Sequence, residues 1–429
     1  MAMDEEGTRG HLRRIADLIG SDAVPERLDP DFSSLPERIP GGARCDAASM
    51  ASRWEVVPHT AQVRETLTAG ASNPEAFESH IENFIGTVQV PIGLAGPLRV
   101  RGVFAQGDFY VPLATTEAAL VASYGRGARV ISEAGGSSAA VLSEGVGRSP
   151  CYAFRDLAAA GAFVAWVTEN REVLQQVAEE TTRHGLLRDM GFTVEGNHVY
   201  LHLNFLTGDA AGQNMVTIAT QALHEHILAH CPIDPEHAFV ESNMSGDKKA
   251  STQAFQSVRG RKVCAEIHVP RTLVEKRLHT TPEQMEKYWQ MSALGGVMSG
   301  TIGVQGHYAN GLAALYLATG QDVACVSEPA VGVTRLESRD DALYASVTLP
   351  NVVVGTVGGG TSLPWQAACL DLLGLRGAGK ANALAEVAAA LVLGGELSLI
   401  AALCAGDFTK AHRKLARKPR STPSPPSKA

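Results

Sequence analysis

The chain has 429 residues, 45% hydrophobic and 19% charged, with a formal net charge of −8. That length can bury a large core in two or three structural units, while the acidic balance excludes general nucleic-acid binding, which needs a basic face. Seven scattered cysteines without a Cys-x-x-Cys pair read as reduced core thiols of a cytoplasmic protein.

The first residues, Met1 to Glu6, are acidic and lack the apolar region expected of a signal peptide. Residues 1–81 are polar and Pro-rich, with short helices predicted at 10–20 and 61–68. Residues 82–150 are Gly-rich, with strands at 88–90, 98–103 and 107–111 and a helix opening at Thr115. Thr115 and Thr116 are natural caps there, which puts Glu117 in the first helical turn. Between 151 and 240 the rhythm changes. A strand at 151–154 precedes a helix over 158–181 that breaks near Asn170. Strands at 192–195 and 198–205 join through the turn signal Gly196-Asn197, before a helix at 214–229 and a strand at 238–241. The order β-α-β-β-α-β is ferredoxin-like, and its two ends come out close together, as an insertion requires.

Residues 251–406 return to a mixed pattern, with helices from 290 onward and at 309–319 and 381–403, and a strand at 349–354. The apolar stretch 384–405 is interrupted by Glu386, Glu396 and Gly394-Gly395, and reads as a buried helix pair, not a membrane span. Residues 410–429 carry seven Lys/Arg, no acids and a Ser-Thr-Pro-rich close, the composition of a mobile tail.

Four isolated charges stand in apolar or turn settings. Glu117 has a plain alternative reading as an acid complementing a helix dipole. Lys248, in the polar loop 243–250, has one as a solvated lysine, and His412 as a surface histidine in the basic tail. Asp322 follows a predicted helix C-terminus, where a carboxylate opposes the macrodipole and needs a cation. Two glycine-bearing turns could receive an anion or another backbone. The turn 207–215 joins a strand to a helix start, and 355–361 follows a strand. Neither is a Gly-x-Gly-x-x-Gly fingerprint.

Taken in order, Glu82–Gly86, Pro112–Glu117 with Leu120–Ser123, Asp247-Lys248-Lys249, Gly320-Gln321-Asp322, Gly355–Thr361 and Gly395–Leu399 resemble the catalytic portion of 3-hydroxy-3-methylglutaryl-coenzyme A (HMG-CoA) reductases. The resemblance covers roughly residues 82–412 and lacks the membrane anchor of the eukaryotic enzymes. It implies an α+β protein with a large mixed α/β acyl-CoA-binding domain (82–150 and 241–409). Into this is inserted a small ferredoxin-like nucleotide-binding domain (151–240). A helical N-terminal segment (1–81) precedes it, and a C-terminal tail (410–429) carries the histidine. Active sites between subunits imply a homodimer or a higher homo-oligomer.

The activity implied is the two-step hydride reduction of HMG-CoA to mevalonate and coenzyme A, using two NADPH, for isoprenoid synthesis. By the resemblance, Lys248 stabilises the oxyanion, Glu117 is the general acid and Asp322 lies between them. His412 protonates the departing thiolate, for which a pKa of about 6.5 is suited. Thr182, Arg183, Asp209, Gly212, Gln213, Asn214, Met215, Val357, Gly358 and Gly359 match cofactor positions, with Arg183 placed for a 2′-phosphate. Glu82, Asn83, Arg126, Arg148, Asn243, Asp247, Lys249, His307 and Asn310 match substrate positions, and no metal is called for. Two positions depart from animal-type members: Glu241 replaces a serine and Met291 a lysine. An acid at 241 would repel the substrate's free carboxylate unless it turns away. The alternatives are an oxidative NAD-dependent enzyme, a reductase of a related acyl-CoA, or a non-catalytic thioester-binding protein.

Overall fold

The computed structural model describes residues 38–58 and 60–406; the predicted helix at 10–20 and the tail with His412 lie outside them. The chain forms two compact units, Met1–Val88 and Gln89–Ala429.

In the first unit, α1 (Ala47–Val56) opens on Asp46, whose carboxylate accepts from the Ser49 amide. The helix α2 (Ala61–Thr68) opens on Thr60, which caps the Val63 amide. Arg53 and Trp54 of α1 are buried and bind main chain. Arg53 donates to the carbonyls of Pro40, Gly42, Arg44 and Phe84, and Trp54 Nε1 donates to Ile85 O at 2.9 Å. The motif 82–86 is therefore held by a cation satisfied wholly by carbonyl oxygens. The strand predicted at 88–90 does not form. Those residues have no ladder partner, and Pro91 follows without an N–H to offer one.

The second unit starts with a hairpin of β1 (Ile92–Gly102) and β2 (Gln106–Ala114). The helix α3 (Leu120–Glu133) follows, and it begins five residues after Thr115, where the sequence opens it. Thr115 Oγ1 does accept a hydrogen bond, but from the Glu117 amide two residues on. That closes a local side-chain turn instead of a helix. Ala119, at φ 72°, then makes the entry to α3 left-handed.

The strand β3 (Ser137–Arg148) leads into β4 (Cys151–Ala153), α4 (Leu157–Glu169), α5 (Arg171–Glu179), β5 (Leu186–Glu195), β6 (His198–Leu206), α6 (Gln213–His230) and β7 (His237–Phe239). The break at Asn170 and the turn at 196–197 fall where the sequence puts them. The strands pair in the order β7-β4-β6-β5, each neighbour antiparallel. This is the ferredoxin-like order, and Cys151 lies opposite Phe239, so chain entry and exit are neighbours. Residues of β6 alternate between buried and half-buried, as one covered face requires. Tyr152, Phe163, Leu174, Leu201, Val216 and Leu223 belong to the core of this layer.

The remaining elements are β8 (Gly260–Pro270), α7 (Pro282–Ser299), α8 (Tyr308–Thr319), β9 (Val333–Arg339), β10 (Ala342–Val352), α9 (Pro364–Leu373) and α10 (Ala381–Cys404). Their strands run β3-β8-β10-β9, with β1 and β2 beyond β3. The strand β3 serves both layers. It pairs with β8 through Gly145 and with β6 from Val146 to Arg148. A Cβ at Gly145 would sit 2.2 Å from the end of the Asn204 side chain, which would have to move aside for a larger residue at the crossover point.

The segment read as a helix pair is one 24-residue helix, α10. Among the described residues it is long and apolar enough to cross a membrane, but most of it is buried in the core. Gly394-Gly395 does not break it because it is a contact, not a turn. A Cβ at Gly127 of α3 would lie 1.8 Å from Gly394 O, and one at Gly395 would lie 2.4 Å from the Tyr124 ring. The buried Glu386 and Glu396 are hydrogen-bonded. Glu386 accepts from the amides of Val103, Phe104 and Ala105 in the β1–β2 turn. Glu396 accepts from Gly306 N, His307 N and Thr334 Oγ1.

Gly127→Ala should force α3 and α10 apart and lower unfolding stability by about 1–3 kcal/mol or more, read from the denaturant midpoint. Unchanged stability would show that this crossing can relax.

Candidate active site

The predicted partner of Asp322 is Lys248. Its Nζ lies 2.8 Å from Asp322 Oδ2. The helix α8 ends at Thr319, Gly320 turns the chain left-handed, and Asp322 accepts from Ala324 N to start a short 3₁₀ turn. Gln213 Nε2 donates to the same Oδ2 at 3.3 Å. The Asp322 hydrogen bond holds the Lys248 ammonium above its ordinary pKa. Partial burial works against the Asp322 charge, but Lys248, the Ala324 amide and Gln213 together outweigh it and leave that carboxyl below its ordinary value. The pair is therefore ionised on both sides through the neutral range.

Around this pair is a cavity of about 410 Å³, whose walls include Arg148, Asn214, Met215, Gly358 and Gly359. Three loops build it by touching backbone to backbone. A Cβ at Gly320 would lie 2.3 Å from Gly360 O, and one at Gly355 would lie 2.6 Å from Ala211 N. Gly358 and Gly359 have positive φ and nothing within 4 Å of where a Cβ would be, which leaves a bare main-chain wall. The helix α6 starts at this cavity from a left-handed Gly212 with no side-chain cap, so its first amides are open to an anion. Val357 lines the cavity as expected. Asp209 turns elsewhere: its carboxylate accepts from the amides of Gly379 and Ala381, where α10 begins.

Glu117 lines a second cavity, of about 570 Å³, with Thr115, Thr116, Asn310 and Val323. Asn310 Nδ2 donates to Glu117 Oε1 at 3.4 Å. The two cavities share one turn, with Asp322 on one wall and Val323 on the other. Glu117 is exposed among the described residues. His307 Nδ1 lies 3.1 Å from Glu396 Oε1, which fixes the ring at the start of α8.

At the acyl-pocket positions, Arg148 ends β3 and is 9% exposed. Its guanidinium lies 2.9 Å from Asp247 and 3.9 Å from Glu241. Glu241 stays beside that arginine: its Oε1 accepts from Ser242 N, Asn243 N and Ser245 Oγ inside its own loop, while its Oε2 is the oxygen 3.9 Å from Arg148. Lys249 Nζ donates to Asp247 O, and Asn243 supplies a left-handed turn at φ 64°. Arg126 faces α10 and donates to Ser398. Thr182 caps the amides of His184 and Gly185, and Arg183 is exposed beside it. Glu82 and Asn83 belong to the first unit, where Asn83 Oδ1 accepts from Gly42 N. Met291 is 64% exposed on α7.

Two residues that sequence reasoning missed lie beneath the lysine loop. Arg259 and Glu328 are buried at 2% and 1% exposure and are 2.5 Å apart. The available signal was weak: Glu328 is a lone acid six residues after Asp322, and Arg259 opens the basic run Arg259-Gly260-Arg261-Lys262.

The family model for hydroxymethylglutaryl-coenzyme A reductase matches residues 49–417. The chain is 42% identical to the 3-hydroxy-3-methylglutaryl-coenzyme A reductase of Haloferax volcanii, over 90% of this chain and 100% of that protein. With the reductase of Methanocaldococcus jannaschii it shares 42% identity over 80% of this chain and 86% of that one. Its fold is similar to that of the NADPH-bound class II reductase from Streptococcus pneumoniae. The TM-score is 0.61 at 20% identity, covering 82% of this chain and 92% of that one.

Asp322→Asn should lower the Lys248 pKa, because the contact that raises it is lost. Labelling of Lys248 by an amine-reactive reagent should then gain half its maximal rate at lower pH than in the unsubstituted protein. An unmoved titration would mean that Asp322 is not its counter-ion in solution.

Proposed function

We propose that this chain, which belongs to the hydroxymethylglutaryl-coenzyme A reductase family, reduces HMG-CoA to mevalonate and free coenzyme A at the expense of two NADPH. The observation that carries this reading is the Lys248–Asp322 ion pair facing a cavity walled by bare glycine backbone and an uncapped helix start.

The residues fit the cofactor. The amides at the start of α6 suit a pyrophosphate. Gly358 and Gly359 leave room for a flat ring against main chain, and the exposed Arg183 suits a 2′-phosphate more than a bare ribose. When bound, NADPH supplies the hydride for each of the two reductions.

The protein's own residues handle oxygen, sulfur and protons. As the thioester carbon is reduced, its carbonyl oxygen gains negative charge. A fixed ammonium at Lys248 stabilises that charge most in a water-poor site, and Asp322 keeps the ammonium in place. The hemithioacetal then loses coenzyme A as a thiolate, which must be protonated. This is the role of His412, outside the described residues. The aldehyde takes the second hydride, and its new hydroxyl needs a proton, the role of Glu117. With two protons taken up, HMG-CoA and two NADPH give mevalonate, coenzyme A and two NADP⁺. Arg148 and Lys249 are the cations for the substrate's free carboxylate, which must share Arg148 with Asp247 at 2.9 Å and Glu241 at 3.9 Å.

We also read the protein as a cytoplasmic homodimer. Met291, Leu294, Val297 and Met298 share one face of α7 at 64%, 65%, 76% and 83% exposure. An apolar stripe of that kind is covered in a stable protein, and a second copy would also enclose an exposed Glu117. The inserted layer 151–240 is the cofactor module in this reading.

Addition of HMG-CoA to enzyme and NADPH should oxidise about two equivalents of NADPH per acyl-CoA, by the stoichiometry above, and release one thiol. Turnover of a different acyl-CoA alone would reassign the substrate. Lys248→Ala should cost at least ~10²-fold in kcat for both half-reactions while acyl-CoA binding stays measurable. Arg183→Ala should narrow the preference for NADPH over NADH, and an unchanged ratio would move the phosphate site elsewhere.

A further inference from the structure

The backbone of Lys248, not only its side chain, is under constraint. It stands at φ 55°, in the left-handed region, which a non-glycine residue keeps only where its surroundings impose it. Two contacts hold it there: the turn bond from Lys249 N to Gly246 O at 3.1 Å, and a carboxylate from elsewhere in the chain, with Lys248 N donating to Glu328 Oε1 at 3.0 Å. The same oxygen receives Arg259 Nη1 at 2.5 Å. Arg259 Nη2 lies 2.6 Å from Asp247 Oδ1 and 3.2 Å from Gln213 Oε1, and so reaches both the neighbour of Lys248 and the first residue of α6. Burial pushes the Glu328 carboxyl above its ordinary pKa, while the Arg259 guanidinium and the Lys248 amide oppose that shift. Both contacts select the ionised form.

A buried ion pair of this kind adds little net stability over apolar residues of similar volume. What it adds here is geometry. Glu328 lies six residues after Asp322, so one turn presents two carboxylates to one lysine, Asp322 to its ammonium and Glu328 to its amide. We propose that Glu328, clamped by Arg259, is a positioning residue that sets the Lys248 backbone so that its ammonium stays on Asp322 and faces the cavity. The proposal rests on the reading of Lys248 as the oxyanion-stabilising group.

The test compares the unsubstituted enzyme with Glu328→Gln and with the double variant Arg259→Met/Glu328→Met. The double variant removes both buried charges and keeps the core apolar. Folding is followed by circular dichroism and thermal melting, turnover by NADPH oxidation, and the Lys248 pKa by pH-dependent amine labelling. Both variants should lose about 10–100-fold in kcat, the scale of a displaced catalytic group, with both KM values little changed. The Lys248 pKa should fall in both as its ammonium leaves Asp322. If Glu328→Gln does not fold, the double variant decides. A folded double variant with unaltered kcat and an unmoved Lys248 pKa overturns the proposal. So does a kcat loss that follows the drop in Tm while the Lys248 pKa stays put, the mark of a merely structural role. The labelling needs no turnover, so an unsubstituted enzyme inactive on HMG-CoA would refute the proposed reaction and still leave Glu328 tested.

Discussion

The site depends on main chains that touch without side chains between them. Gly320 meets Gly360, and Gly355 meets Ala211, so three loops from distant parts of the chain lie within a hydrogen bond of each other. Thr356 N donates to Asp209 O at 2.9 Å, and the Gln321 side chain bonds both N and O of Gly355. These contacts bring the uncapped start of α6 up to Asp322 and hence to Lys248. A methyl group at Gly320, Gly355 or Gly360 would separate the loops by more than a hydrogen bond can span.

Below that layer, charge is used inside the protein as a fastening. Arg53 satisfies carbonyls, Glu386 and Glu396 accept from amides, and Arg259 and Glu328 pair with each other and with the loop above them. Each is buried and each has partners, as the cost of desolvating a charge demands. In β3 the same economy appears in the ladder, where one strand finishes one sheet and starts the next, with Arg148 at its end. The cation proposed for the acyl pocket is thus carried on a strand tied to both layers.

Much of this was legible in the sequence because it follows local rules. The hairpin at Gly196-Asn197 is turn chemistry, and the break at Asn170 is a lapse in helical periodicity. The need of Asp322 for a cation follows from its place after a helix. Where reading failed, either a competing local turn or a distant contact had overruled the expected rule. Thr115 and Thr116 look like caps, but Thr115 turns back onto the Glu117 amide and α3 waits until Leu120. Gly394-Gly395 looks like a break, but α10 runs through it because Gly127 and Tyr124 press close. Arg259 and Glu328 are 69 residues apart in the chain, and nothing in either neighbourhood announces the other. Among the described residues Glu117 stays exposed, and its local sequence carries no signal of what covers it.

The helix α10 has a consequence beyond packing. As it is synthesised, a segment of 24 residues with an apolar window of mean hydropathy 2.1 is a plausible substrate for membrane insertion machinery. Charged side chains near the middle of such a segment cost roughly 2.5–3.5 kcal/mol each to place in a bilayer. Glu386 and Glu396 therefore act twice in the life of the chain. In the nascent segment they weigh against partitioning into lipid, and in the finished core they tie down two loops.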